Sequence, residues 1–252
     1  MSVMPIHRTR SGLILALLGL GLSLAAGCQR TVPPAPSSGD FSRPLEEAEK
    51  APATLDPALL LPASERSILM AGHVAAGLAL AGAGQAEDAA AQLRAAVGKI
   101  DPGEVPGLEA LGYDPAVFEA AASALEAGDI AQDKLDAVGA NMKTLRANAG
   151  GNPGEQIGYL MKHCLKEYRN GVSLDNQIVE NGAYEDAYGY AVVARDIAGS
   201  MEGDDASDVR LELELLVRMW PEQGPVWADA PAPVLNLASQ VSRVELQSVA
   251  LQ

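Results

Sequence analysis

Pro153-Gly-Glu-Gln-Ile157-Gly-Tyr-Leu160-Met161-Lys-His163-Cys164-Leu-Lys-Glu167-Tyr168-Arg-Asn-Gly171 is the stretch whose reading decides the fold. Ile157, Leu160, Met161, Cys164 and Tyr168 recur at the spacing of one helix face. Proline suits the first helical position and glycine the stop, so a helix over 153–171 is expected. The same grammar repeats on both sides of it. Upstream, Leu135, Val138, Met142 and Leu145 follow an a/d-like spacing. Asp114-Pro115 caps a helix carrying Phe118, Ala121, Ala122 and Leu125, which stops at Gly128. Ser64 is the expected cap of a helix to about Ala83, closed by Gly84, and Glu87 to Lys99 forms its partner with Ala89, Leu93, Ala96 and Val97 on one face. Downstream, a loop over 172–182 leads into Tyr184–Met201, apolar nearly all round and so central. Leu211-Glu-Leu-Glu-Leu alternates like a strand, but Val209, Leu213, Leu216 and Trp220 fit a helix, and the helix is preferred from Asp208 to Trp220. A last helix is expected from about Pro233 to Leu251. The fold class is therefore all-α, a set of helical hairpins packed as a bundle.

Composition agrees. Of 252 residues, 48% are apolar and only 4% aromatic, which suits helices packed through small side chains better than a β-sandwich. The net charge of −15 has the wrong sign for binding a phosphate backbone, so no nucleic acid partner is expected. No glycine-rich phosphate loop, zinc-finger spacing or nucleophile elbow occurs. No nucleophile has a plausible base and orienter, so the protein is read as noncatalytic.

Residues 1–27 read as a signal peptide. His7, Arg8 and Arg10 precede an apolar run from Leu13 to Leu24 that is too short for a comfortable membrane span. The run ends in Ala25-Ala26-Gly27-Cys28, which resembles the lipobox of bacterial lipoproteins. That resemblance implies lipidation of Cys28 as the mature N-terminus. Gln29, in place of a retaining aspartate, implies an outer-membrane location facing the periplasm. Two or more acyl chains at about 0.8 kcal/mol per buried CH₂ hold such a protein firmly. Removing the leader takes Arg8 and Arg10 with it and leaves 33 acidic residues against 16 basic ones. The body should then stand off an anionic surface. Residues 28–62, with Pro33-Pro34, Pro36, Pro44, Pro52, Pro57 and Pro62, read as a lipidated N-terminus and a disordered, partly extended tether. Residues 63–252 form the all-helical domain. With Cys28 as anchor, Cys164 is left as a small core residue.

Two stretches of the body resemble known families. Met70 to Pro102, with Gly77, Gly84, Ala89 and Ala96 at the small-residue positions, is similar to a tetratricopeptide hairpin, so a short array of such units is the alternative to a bundle. Tyr168-Arg-Asn-Gly171-Val, Asp175-Asn-Gln-Ile-Val and Ala183-Tyr184-Glu-Asp186-Ala-Tyr188-Gly189-Tyr190 resemble the periplasmic helical region of oxidase-linked iron permeases, as does Gly72-His73. This second resemblance implies an accessory role in envelope metal uptake, with iron or another divalent metal as cargo. Ala183 stands where that family has a glutamate before the tyrosine, and histidines are missing near Gln92 and Ala95.

The candidate metal residues are His73, His163, Glu167, Tyr184 and Glu185. His163 and Glu167 are i, i+4 neighbours on a helix edge, while His73 has no acidic neighbour closer in sequence than Glu65. No cofactor is otherwise implied. Two functions remain: partner binding or an accessory role in the envelope without catalysis, or direct metal binding through His, Glu and Tyr side chains. Tyr159, Tyr168, Tyr184, Tyr188 and Tyr190 are expected to pack rather than to line a groove. Asp205 and Asp208 suit a helix N-terminus. Mass spectrometry of the mature N-terminus checks the leader: acylated Cys28 is expected, and an unmodified residue there would contradict the lipobox reading.

Overall fold

The computed structural model describes residues 61–98, 105–227 and 230–251. The leader, Cys28 and the tether as far as residue 60 lie outside the described residues. The helices are α1 (Ala63–Gly82), α2 (Ala86–Gly98), α3 (Val105–Glu109), α4 (Pro115–Glu126), α5 (Gln132–Ala149), α6 (Pro153–Gly171), α7 (Asn181–Gly199), α8 (Asp204–Val217) and α9 (Val234–Ser248), with a 3-10 turn at Val249–Leu251. Among the described residues there is no strand, only one isolated bridge between Val172 and Ile178. The all-α expectation holds.

Most boundaries follow from the capping chemistry. The Asp114 side chain accepts from the Ala116 amide at 3.0 Å, and Asn152 accepts from the Glu155 amide at 3.1 Å, each just ahead of a proline. α1 and α4 end alike: the Gln85 amide reaches back to the Leu80 carbonyl and Gly84 to Ala81, while Asp129 reaches Ala124 and Gly128 reaches Leu125. These paired bonds are the Schellman arrangement, and Gly84 and Gly128 both have positive φ.

Four boundaries differ from expectation. α1 begins one residue before Ser64, because Pro62 holds the extended cap conformation and its carbonyl accepts from the Glu65 and Arg66 amides. α7 begins at Asn181, since the Glu180 carboxylate caps the Gly182 and Ala183 amides. α8 starts at Asp204, with Asp204 and Asp205 in its first turn, and ends before Trp220. Its buried residues Val209, Leu213 and Leu216 keep the helical period, and Leu211 and Leu215 face solvent. The short α3 had no signal in the sequence.

α7 lies at the centre. It packs against α6, α1 and α8, while α1 also meets α2 and α5, and α9 closes over α6 and α8. A repeat solenoid joins each unit only to its neighbours. Here α1 packs on α7, more than a hundred residues away, so the architecture is a bundle and the resemblance to a tetratricopeptide hairpin ends at α1–α2. In that hairpin a Cβ on Gly77 would meet Leu93 Cδ2 at 3.1 Å, so the small residue admits the fully buried leucine.

α1 and α7 approach more closely still. A Cβ on Gly189 would overlap the Gly72 carbonyl, and a Cβ on Gly72 would overlap the Tyr190 ring. Backbone cannot give way as a flexible side chain can, so Gly189→Ala should destabilise the domain by about 3 kcal/mol. Gly158, in α6, has nothing within 4 Å of its Cβ position. Gly158→Ala should therefore stabilise by up to about 1 kcal/mol through helix propensity. Thermal unfolding of the two variants side by side tests the crossing.

Candidate functional site

The crossing sets His73 of α1 against the opening turns of α7. Its Nδ1 lies 3.0 Å from Gln92 Oε1 on α2 and 2.8 Å from Asp186 Oδ1 on α7. The other end of the amide, Gln92 Nε2, donates to Glu185 Oε2 at 2.9 Å. His73, Gln92, Glu185 and Asp186 are all buried. With two acceptor oxygens at Nδ1, the neutral ring carries its proton there, and its Nε2 is left as the lone-pair nitrogen. Among the described residues Nε2 has no hydrogen-bond partner.

Two adjoining cavities meet at this network, and Ala95, Glu167 and Asp186 line both. The first, of about 320 Å³, is faced by His73, His163 and Tyr190, with Arg66 and Lys166 also in its wall. The second, of about 370 Å³, is faced by Asp88, Glu180 and Glu185. One side is rich in imidazole and the other in carboxylate.

His163 projects from α6 into the first cavity. Its ring lies 4.6 Å from that of Tyr159 and 5.9 Å from that of Tyr190, which is itself 6.0 Å from His73. Burial, helped by the nearby Lys166 charge, pushes the His163 pKa below the ordinary 6.5, although Glu167 and Glu65 pull the other way. The ring is therefore neutral at neutral pH and has a lone pair to offer.

The expected residues divide unevenly. His73 and His163 come together in one cavity although they sit on separate helices. His163 is half-buried, with the Tyr190 ring of α7 5.9 Å from its own. Glu167 reaches the same cavity, but its carboxylate already accepts from Lys166 Nζ at 2.8 Å and Asn170 Nδ2 at 3.1 Å. Glu185 lines the acidic cavity.

Tyr184 lies elsewhere. One residue along an α-helix is a turn of about 100°, so Tyr184 faces the core while Glu185 and Asp186 face α1 and α2. Its ring packs 5.9 Å from Tyr168 and 6.1 Å from Trp220, and its hydroxyl is buried without a hydrogen-bond partner among the described residues. Burial pushes that phenol far above its ordinary pKa, which disfavours the phenolate a metal would need. Tyr184 is thus removed from the ligand set. The tyrosines split accordingly: Tyr168, Tyr184 and Tyr188 pack around Trp220, while Tyr159 and Tyr190 flank the histidines. Cys164 is fully buried as a free thiol.

Asp186 and Gln92 were not singled out in the sequence. Asp186 stands beside a candidate, but no spacing ties it to His73, which is over a hundred residues earlier. Gln92 and Ala95, near which histidines are missing, both line the acidic cavity. Among the described residues, no three His, Cys, Asp or Glu side chains are grouped closely enough to hold a metal ion. No family model, curated protein or solved structure matches the chain.

Burial raises the Glu185 carboxyl to about 7 against an ordinary 4.5, with Asp88, Asp186 and Glu180 adding repulsion and the Gln92 hydrogen bond opposing the rise. A carboxyl raised in the folded state binds its proton more tightly there than in the unfolded chain. Stability contributed by this group is full below about 4.5 and falls as pH rises towards 7. Glu185→Gln should flatten that fall, raising the melting temperature above neutrality and changing it little in acid. Melting curves across this range check it, and an unchanged slope would mean Glu185 ionises freely in the fold.

Proposed function

We propose that this protein is a noncatalytic lipoprotein of the outer membrane, facing the periplasm, with an accessory role in envelope metal uptake. Its helical domain binds a divalent transition-metal ion in the cavity between α1, α6 and α7. The observation that carries this reading is the placement of the two histidines on one cavity. The Nδ1 of His73 is hydrogen-bonded to the Gln92 amide oxygen and lies 2.8 Å from the Asp186 carboxylate, the kind of partners that orient metal-binding imidazoles. His163, on the opposite helix, lines the same cavity and is kept neutral.

Imidazole nitrogens suit zinc, copper, nickel and ferrous ions rather than calcium or magnesium. Two protein nitrogens leave coordination positions open to water or to a ligand arriving with the metal. Such a site is too sparse for a structural centre, where four protein ligands are usual. It suits a cargo that is taken up and passed on. The carboxylates of Asp88 and Glu180 in the adjoining cavity favour the approach of a cation. Lipidation at Cys28 would hold the domain at the membrane, where a protein partner in the envelope would receive the ion.

Calorimetry of the full chain with ferrous or zinc ions tests the reading. One-site binding should weaken as pH falls through the histidine range, because neutral imidazole is the ligand. His73→Ala and His163→Ala should each abolish it, and Asp186→Asn should weaken it by about tenfold. Binding that persists in both histidine variants, or no binding by the unaltered chain, would overturn the metal assignment.

A further inference from the structure

The acidic cavity of about 370 Å³ is walled by α2 and by the opening turns of α7, with Glu167 contributed by α6. The carboxylates of Asp88, Glu167, Glu180, Glu185 and Asp186 line it, and among the described residues no lysine or arginine does. Three of these groups are engaged: Glu167 accepts from Lys166, Glu180 caps α7, and Asp186 lies beside His73.

Asp88 and Glu185 differ from the other three. Asp88 makes no hydrogen bond or ion pair with the described residues. Glu185 is only 5% exposed, and its Oε2 accepts from Gln92. Its other oxygen, Oε1, has no hydrogen-bond partner among the described residues and is left open to the cavity. A buried carboxylate oxygen in that position calls for a donor. Asp88 and Glu185 also line a smaller neighbouring hollow together, so the two carboxylates stand near each other.

The wall favours one kind of donor. Asp88, Asp186 and Glu180 repel the Glu185 charge, which burial also disfavours. An incoming cation relieves both effects, and charge-assisted bonds offset its desolvation where the geometry fits. The acidic groups are spread around the wall, and among the described residues no three gather closely enough to hold a metal ion. The methyl groups of Ala91, Ala95 and Ala183 lie in the same wall. An ammonium group has three N–H donors that can reach separate oxygens, and an aliphatic chain behind it can lie on alanine methyls.

From the open oxygen of Glu185, the unengaged Asp88 and the alanine surface, we infer that this cavity binds a protonated aliphatic amine. Its ammonium is held by Glu185 Oε1 and the Asp88 carboxylate, and its chain rests against Ala91, Ala95 and Ala183. The inference does not depend on metal binding, since neither His73 nor His163 lines this cavity.

Calorimetry of the full chain with butylamine tests it. At about pH 8 and about 0.15 M salt the amine is charged and long-range attraction to the acidic chain is screened, and Glu185 is ionised. Butylamine should bind at one site, and butanol, which lacks the charge, should not. Glu185→Gln and Asp88→Asn should each weaken binding by at least about tenfold, with melting curves that show folded domains. His163→Ala should keep the amine while losing zinc, so failure of the metal reading would leave this site standing. N-acetyl-lysine amide carries the same group on a lysine side chain. Tighter binding of it than of butylamine would assign the cavity to a lysine of a protein partner, and the reverse to a free amine. No binding of either amine, equal binding of butanol, or affinity unchanged in both carboxylate variants would overturn the assignment.

Discussion

Gly189 rests against the carbonyl of Gly72, and the surroundings of His73 depend on that approach. Two helices meeting through side chains lie 8–10 Å apart. Glycine on both sides removes the spacer, so α1 and α7 cross almost backbone to backbone. Residue 73 then faces residues 185 and 186 directly. The bond from Gln92 to Glu185 draws α2 into the same contact, and Tyr190, the next residue after the crossing glycine, has its ring 6.0 Å from that of His73 and 5.9 Å from that of His163. A larger residue at either glycine would separate three helices at the point where all the unusual chemistry of the domain is gathered.

What sits at this crossing is expensive in physical terms. A histidine, an amide and two carboxylates are buried together, and a buried carboxyl group without full compensation stays protonated. Glu185 illustrates the strain, with a pKa raised to about 7. The same residues replaced by leucine and alanine would pack in a bundle of this kind without that cost. Retaining a polar cluster in an alanine-rich core fits a site better than a scaffold. The aromatic group around Trp220 makes the contrast. There Tyr168 gives its hydroxyl to the Ala232 carbonyl at 2.7 Å and otherwise fills space.

The helices were largely legible in the sequence because their ends are written in local chemistry. Asp114-Pro115, Asn152-Pro153, Gly84 and Gly128 act within four residues of themselves, and each performs as its type suggests. Where a boundary was displaced, the cap was an unusual one: Pro62 by its carbonyl, Glu180 by a longer side chain than the common caps. The alternation in Leu211-Glu-Leu-Glu-Leu was ambiguous until burial distinguished Leu213 from its neighbours. The site was legible only in part. His73, His163, Glu167 and Glu185 could be named by type, and they do line adjoining cavities. Asp186 and Gln92 could not be tied to His73, because the link is made by a glycine crossing and no periodicity records which two helices cross. Tyr184 was misplaced for the reverse reason: its neighbours in sequence point into the site, and one step of helix turns it into the core.

The α1–α7 crossing fixes the proton of the neutral His73 ring on Nδ1 and leaves Nε2 as a lone-pair nitrogen with no hydrogen-bond partner among the described residues. Nitrogen-15 chemical shifts of the His73 ring, correlated to its carbon-bound protons, report the tautomer directly. In the neutral ring the expected result is a protonated Nδ1 and a bare Nε2. A proton on Nε2 would contradict the account, since Nδ1 would then have to accept hydrogen bonds where the structure places two oxygen atoms.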